Sequence, residues 1–122
     1  MKIRIQGNSI RMRLSKSNVE HLIAHGVLSE QISWGSETLC YAVERDEVAP
    51  KMTSTFTNNK ITIHIPKCLL EDWETNDIVG FSEEQAFDNN TSLFILIEKD
   101  FKCTDSTNQD QSDFYENPNL IC

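Results

Sequence analysis

Apolar and polar residues alternate over two short stretches at the start of the chain, Lys2 to Gln6 and Ser9 to Leu14. Alternation with a period of two is typical of a β-strand that buries one of its faces. Gly7 and Asn8 separate the two stretches, and both residue types tolerate the positive φ of a tight two-residue turn. The pattern therefore predicts a β-hairpin with one apolar face and one polar face.

A short helix is predicted directly after this hairpin. Ser15 or Ser17 can cap its N-terminus, because a serine hydroxyl accepts a hydrogen bond from a free backbone N–H of the first turn. Apolar residues at the i, i+3 and i+4 positions from Val19 form one stripe along such a helix. Gly26 is a suitable residue for its C-terminal end.

The same order of elements is predicted twice, over residues of about 1–48 and 50–100. Each half is expected to hold strand, strand, helix, strand and strand. The later elements are predicted as strands over 31–34, 38–45, 52–57 and 60–65, a helix over 68–73 that follows Pro66, and strands over 78–82 and 92–98.

The two halves also align residue by residue. SIRMRLSKSNVEHL lies over KITIHIPKCLLEDW without a gap, and TLCYAVERD lies over SLFILIEKD. Strand alternation is generic, so chance similarity between two hairpin–helix units is the alternative explanation. The matching ERD and EKD endings favour a tandem repeat.

We therefore predict an α+β fold, mostly β, made of two tandem strand–strand–helix–strand–strand units. A barrel-like sheet with two short helices plugging it would close most sheet edges. An open sheet with both helices on one face is the alternative. The expected domain covers residues 1–101, and residues 102–122 form an acidic C-terminal tail.

Length and composition agree with one compact domain, since the chain has 122 residues of which 39% are hydrophobic and 25% charged. No apolar run is long enough to span a bilayer, and the N-terminus lacks a secretory signal. We therefore expect a cytoplasmic protein without membrane contact, in which the four cysteines stay reduced.

The formal net charge of −8 is distributed unevenly along the chain. The first sixteen residues carry five bases and no acid, and the rest of the chain carries six bases and nineteen acids. The five bases are the predicted binding residues Lys2, Arg4, Arg11, Arg13 and Lys16. Strand alternation places the first four on the polar face of the hairpin, where they would attract an anionic partner or the chain's own acidic tail. An ordinary solvated face is the alternative.

No motif for catalysis or for a cofactor is present. The four glycines form no phosphate-binding loop. His21 and His25 are weak metal candidates, because they lie one helical turn apart without a third ligand at suitable spacing. Cys40 and Cys68 are expected to be buried, inert thiols. We therefore expect a non-catalytic binding or interaction module without cofactor or metal, and keep an enzyme of unknown chemistry as the third hypothesis.

One segment, NNKITIHIPKCLLEDWETNDIV, resembles the core of the AbrB/MazE swapped-hairpin group. That group's pattern is an alternating strand, the letters IPK, a short helix and a Gly-Asp-type turn before another strand. The match is carried by residues 63–67 and 76–79, and the first half departs from it with Ser15 in the proline position. The resemblance implies a swapped-hairpin barrel and DNA binding through basic residues. A DNA-binding regulator is therefore the second hypothesis, although the acidic balance disfavours nucleic acid.

A second resemblance covers nearly the whole chain and is carried by MKIRIQGNSIRMRLSKS, TLCYAVE, LIEKDFKC and the late Asn117-Pro118 pair. Together these segments are similar to a family of small bacterial proteins without an assigned activity. The tail departs from that family's usual pattern of Cys-Leu, an acidic run and Phe-Pro-Asn-Pro, because Thr104 follows Cys103 here. The resemblance implies a single-domain bacterial protein and no mechanism.

Overall fold

A computed structural model describes residues 1–101, and the predicted acidic tail over 102–122 lies outside the described residues. Within the described part, the elements follow the order strand, strand, helix, strand, strand and then the same order again. The elements are β1 (Lys2–Gln6), β2 (Ser9–Leu14), α1 (Lys16–His25), β3 (Val27–Ser33), β4 (Thr38–Asp46), β5 (Thr53–Thr57), β6 (Lys60–Pro66), α2 (Lys67–Leu70), β7 (Gly80–Ala86) and β8 (Ser92–Lys99). The fold is mostly β.

The predicted hairpin of β1 and β2 is confirmed, with Gln6 paired to Ser9 across a two-residue turn. Gly7 in this turn has a φ of 55°, a conformation that glycine adopts without steric cost. The turn between β5 and β6 has positive φ at both Asn58 and Asn59. Two consecutive positive φ values match the type I′ turn, which suits the right-handed twist of the two strands it joins.

The strands form two four-stranded sheets, sheet A in the order β1-β2-β8-β7 and sheet B in the order β3-β4-β6-β5. Within each sheet two antiparallel hairpins meet through a parallel central pair, β2 with β8 in sheet A and β4 with β6 in sheet B. Each half of the chain therefore contributes one hairpin to each sheet.

The predicted barrel-like closure is wrong, because no strand ladder joins sheet A to sheet B within residues 1–101. Polar contacts connect the sheet edges instead. The Gln85 amide on β7 accepts from the backbone N–H of Ser54 on β5 at 2.8 Å and donates to its carbonyl at 3.2 Å. It thereby occupies the groups that a neighbouring strand would use. At the opposite edges the Met1 ammonium lies 3.1 Å from the Glu30 carboxylate.

Hairpin turns and helices lie at opposite ends of the sheets. All the hairpins turn at the N-terminal ends of β2, β4, β6 and β8, whereas α1 and α2 follow the C-terminal ends of β2 and β6. Because β2 runs parallel to β8 and β4 to β6, the turns share one end. We call it the turn end, and the opposite end the helix end.

The helix α1 is confirmed with both predicted caps. The Ser15 hydroxyl accepts from the Asn18 backbone N–H at 3.2 Å, and the Asn18 side chain accepts from the Ser15 N–H at 3.0 Å. Gly26 ends the helix with a φ of 80°. Arg45 on β4 donates to the Ile23 carbonyl at 2.9 Å, so it satisfies one of the free carbonyls of the last turn.

The second helix is shorter than the predicted 68–73, because α2 ends at Leu70. Asp72 follows with a φ of 59°, which turns the chain out of the helical path. This turn directs Trp73 into the core, where it is fully buried and its indole N–H donates to the Ile78 carbonyl at 2.9 Å. Burial of the large indole with its polar group satisfied therefore prevails over continuation of the helix.

Two strands differ from their predicted positions. β3 starts at Val27, immediately after Gly26, rather than at residue 31. β7 covers Gly80–Ala86 rather than 78–82. A Cβ atom on Gly80 would lie 2.3 Å from the Ile97 carbonyl oxygen, so only glycine permits the close approach with which β7 joins β8.

The core lies between the two sheets and is closed at the helix end. Its fully or nearly fully buried members include Met12, Leu14, Ile95 and Ile97 from sheet A, Val43, Ile63 and Ile65 from sheet B, and Val19, Leu22, Leu70 and Trp73 at the helix end. Each such side chain contributes roughly 1.5–3 kcal/mol by burial. At the turn end the core is open, since Ile5, Phe56 and Phe87 are exposed.

Candidate functional site

Four predicted cations of the first hairpin lie on one surface of sheet A. Lys2 is directly opposite Arg13, and Arg4 is directly opposite Arg11. Opposite residues of an antiparallel pair have Cβ atoms about 4.5–5.5 Å apart, and the alternate residues such as Met12 face the core. We call Lys2, Arg4, Arg11 and Arg13 the basic face.

The fifth predicted binding residue, Lys16, lies outside the basic face. It is the first residue of α1 and is exposed at the helix end. Because it belongs to the helix and not to a strand of sheet A, strand alternation does not align it with the other cations. The structure therefore brings together four of the five predicted residues.

Acidic residues at the end of β8 neutralise one side of the basic face. Glu98 lies 2.9 Å from the Arg13 guanidinium and 3.5 Å from that of Arg11. Asp100 lies 2.9 Å from the Lys2 ammonium. The hydrogen bond from Lys2 holds the pKa of the Asp100 carboxyl below its usual value. These two carboxylates lie toward the helix end of the surface, so the positive charge is concentrated toward the turn end.

Arg4 is the least compensated member of the basic face. Its side chain is exposed, and the ion pairs found within residues 1–101 join the other three cations of the face to carboxylates but leave Arg4 without one. Arg11, directly opposite, shares Glu98 with Arg13 and is the more distant of the two. Like charges directly opposite each other destabilise a sheet, so the Arg4–Arg11 pair lowers the stability of sheet A locally.

Apolar side chains border the basic face on the adjacent strand β8. The parallel register sets Phe94 opposite Ser9 and Leu96 opposite Arg11, and Phe94 is 46% exposed. This border is not predictable from local sequence, because β2 and β8 pair at a separation of 85 residues. The alternation within SLFILIEK indicates which residues share a face but not which strand lies beside them.

An apolar cleft opens between the two sheets at the turn end. Its volume is about 430 Å³, and it is lined by Ile10, Ser54, Thr55, Phe56, Ile61, Phe87 and Leu93. Ile10 and Leu93 come from sheet A, and Phe56 and Ile61 come from sheet B. The cleft is not predictable from the sequence, since it depends on how the two sheets pack against each other.

The histidine and cysteine candidates do not assemble into a site. The His21 and His25 rings lie with centroids 4.5 Å apart on the exposed side of α1. Within the part of the chain that the structure describes, no group of three or more His, Cys, Asp or Glu residues is arranged to hold a metal ion. Cys40 is half-buried and Cys68 is exposed. The expectation that Cys68 is buried is wrong, because the short α2 presents it to solvent.

His64 lies between an acid and a hydroxyl on the outer surface of sheet B. Its Nδ1 is 3.9 Å from the Glu44 carboxylate and its Nε2 is 3.2 Å from the Thr55 hydroxyl. These contacts orient the imidazole ring. The three side chains lie on the opposite surface of sheet B from the core, since Ile63 and Ile65 on either side of His64 are buried in it. They adjoin no described cation of the basic face.

Neither helix of the described residues has the length and apolar character needed to cross a bilayer. The described elements thus define a small, mostly-β protein with two sheets, a basic surface and an apolar cleft. The chain belongs to a family of unknown function (DUF7009), which matches residues 1–119. No curated protein and no solved structure matches it. The resemblance to a family without assigned activity is therefore supported, whereas the AbrB/MazE resemblance gains no support.

Proposed function

We propose that this protein is a non-catalytic, cytoplasmic binding module whose basic face captures an acidic segment. The observation that carries the proposal is the pair of like-charged cross-strand contacts, Lys2 with Arg13 and Arg4 with Arg11. Such contacts destabilise a sheet, and departures from a local stability rule are expected mainly at functional sites. An acidic partner would relieve the repulsion on binding.

The contact zone centres on Arg4 and Arg11. Glu98 and Asp100 already neutralise the part of the basic face nearest the helix end. A guanidinium group can donate two parallel hydrogen bonds to one carboxylate, and the exposed Phe94 ring offers an apolar contact nearby. The chemistry therefore fits a segment in which a carboxylate lies close to an aromatic or aliphatic side chain.

The chain's own tail is one candidate for this segment. Residues 102–122 carry four acids and one base, together with Phe114 and Tyr115. Only Phe101 separates them from Asp100, which lies at the border of the basic face and contacts Lys2. A tethered segment acts at an effective concentration in the millimolar range, so an external partner would compete with it.

The proposal is tested by binding of a labelled Asp/Glu-rich peptide that contains one phenylalanine. Arg4→Glu with Arg11→Glu should weaken binding at least tenfold, because two charge-assisted hydrogen bonds are lost. Lys16→Glu with Lys51→Glu makes the same change of charge at exposed positions outside the basic face and should change the affinity less than twofold. Equal losses of affinity in both variants would show that binding depends only on the net charge of the protein and would contradict the proposal.

Two further arms of the same experiment identify the occupant. Tighter peptide binding by residues 1–101 than by the full chain would indicate competition from the tail. Salt-dependent binding of duplex DNA that is lost in the Arg4→Glu, Arg11→Glu variant would favour the DNA-binding regulator over a protein partner. The formal net charge of −8 argues for the protein partner, since a long duplex would also bring its phosphates near the acidic remainder of the chain, whereas a short acidic segment can contact the basic face alone.

A further inference from the structure

The apolar cleft at the turn end is separate from the basic face and has the dimensions of a ligand site. Its volume of about 430 Å³ falls within the range of roughly 300–1,000 Å³ that is typical of small-molecule pockets. Sheet A and sheet B each supply one wall. Phe56 and Phe87 stand at the mouth with 67% and 42% of their surfaces exposed, although both are large apolar residues.

The polar side chains of the cleft are already engaged with other residues. The Ser54 hydroxyl and backbone N–H both donate to the Gln85 amide oxygen, and the Ser54 carbonyl accepts from the same amide. The Thr55 hydroxyl contacts His64 at 3.2 Å on the other surface of sheet B. No lining residue within the described chain carries a charge. A ligand would therefore be held by apolar contact alone.

From this lining we propose that the cleft binds a small molecule through an uncharged hydrocarbon or aryl group, with any polar end left in solvent at the open mouth. Sugars, nucleotides and extended peptide backbones bring donors and acceptors that would lose water here without gaining a partner. An alkyl chain or an aromatic ring brings none. This function is independent of the basic face, so either proposal can fail without the other.

The test uses the full chain and the uncharged fluorescent probe N-phenyl-1-naphthylamine. We expect saturable binding that 1-alkanols displace, with affinity rising about threefold to fourfold for each added methylene until the cleft is full, and no displacement by glycerol. Phe56→Ser with Phe87→Ser should weaken probe binding at least tenfold. Val48→Ser with Phe101→Ser removes two exposed apolar side chains elsewhere on the described surface and should have less than a twofold effect.

Circular dichroism checks that both double variants remain folded, and Phe56→Ser alone replaces the first pair if it unfolds. Absence of saturable probe binding, or equal losses in the two pairs, overturns the proposal. So does an alkanol series without dependence on length. Tighter probe binding after deletion of residues 102–122 would indicate that the tail, and not a small molecule, occupies the cleft. A dimer that dissociates on Phe56→Ser with Phe87→Ser, without probe binding by the unmodified chain, would assign it to a second copy.

Discussion

Asp100 shows how a single residue links the end of β8 to the first hairpin. Its carboxylate accepts a hydrogen bond from the Lys2 ammonium at 2.9 Å, and its backbone N–H donates to the Leu14 carbonyl at 2.8 Å. The side-chain bond is the main reason why the pKa of Asp100 is lowered. The residue therefore contributes both a strand contact and a contact that depends on pH.

We expect the Asp100–Lys2 contact to stabilise the fold at neutral pH and to be lost in acid. A carboxyl group whose pKa is lowered on folding contributes stability above its unfolded pKa, and the contribution disappears as the pH falls through the folded pKa. Asp100→Asn should therefore melt at a lower temperature than the unmodified chain near neutral pH, with the difference vanishing below the ordinary value of 3.8. Asp88→Asn, in an exposed turn, serves as the control. A difference that is constant with pH would contradict the assignment.

At the scale of elements, the strands and the helix that the sequence predicts correctly are those specified by residues close together in the chain. Alternation and a turn glycine determine β1 and β2, and the Ser15 and Gly26 caps determine α1. Residue Trp73 shows where local signals fail, because its burial against Phe81 at a ring distance of 5.1 Å depends on a strand that comes later in the chain. Helical spacing in this segment therefore overstates the length of α2.

The candidate site likewise has one part that local sequence predicts and one part that depends on tertiary packing. Strand alternation was sufficient to place Lys2, Arg4, Arg11 and Arg13 on one face. The neighbours Glu98 and Phe94 could not be predicted, because local sequence does not determine which of several strands pairs with β2. The cleft likewise depends on the packing of one sheet against the other.

The contact between β7 and β8 can be tested at Gly80. A Cβ atom there would lie 2.3 Å from the Ile97 carbonyl oxygen and 2.8 Å from the Glu98 Cα atom. Since both are backbone atoms, Gly80→Ala should separate the strands and lower the free energy of unfolding by about 1–3 kcal/mol, as measured by urea denaturation. Ser82→Ala on the same exposed surface of β7 should change it by less than about 0.5 kcal/mol. A Gly80→Ala variant as stable as Ser82→Ala would contradict this prediction, because it would show that β7 can shift without any loss of stability.

At the scale of the whole molecule, the two halves of the chain are interlocked. In sheet A the β1–β2 hairpin joins the β7–β8 hairpin through β2 and β8, and in sheet B the β3–β4 hairpin joins the β5–β6 hairpin through β4 and β6. Neither half can complete either sheet alone. The core residues Met12 and Ile97, from different halves, are both fully buried, so separation would expose the core.

We therefore expect the protein to survive a cut between its halves. A protease site inserted at the exposed Pro50 should be cleaved without release of either fragment, because both sheets hold the fragments together. Size-exclusion chromatography should show one species of unchanged volume, and denaturing electrophoresis should show two bands. The uncut insertion variant is the control. Fragments that elute separately would contradict the arrangement in which each sheet contains one hairpin from each half of the chain.

The pairing of β2 with β8 also sets an order of events during synthesis. Sheet B is built from residues 27–66 and can form while the rest of the chain is still being made. Sheet A needs β8, which ends at Lys99, so the first hairpin leaves the ribosome long before its partner strand exists. The hairpin of β1 and β2 is thus translated before β8 but reaches its final place only after β8 is available. In the interval the charges of that hairpin face solvent without Glu98 and Asp100.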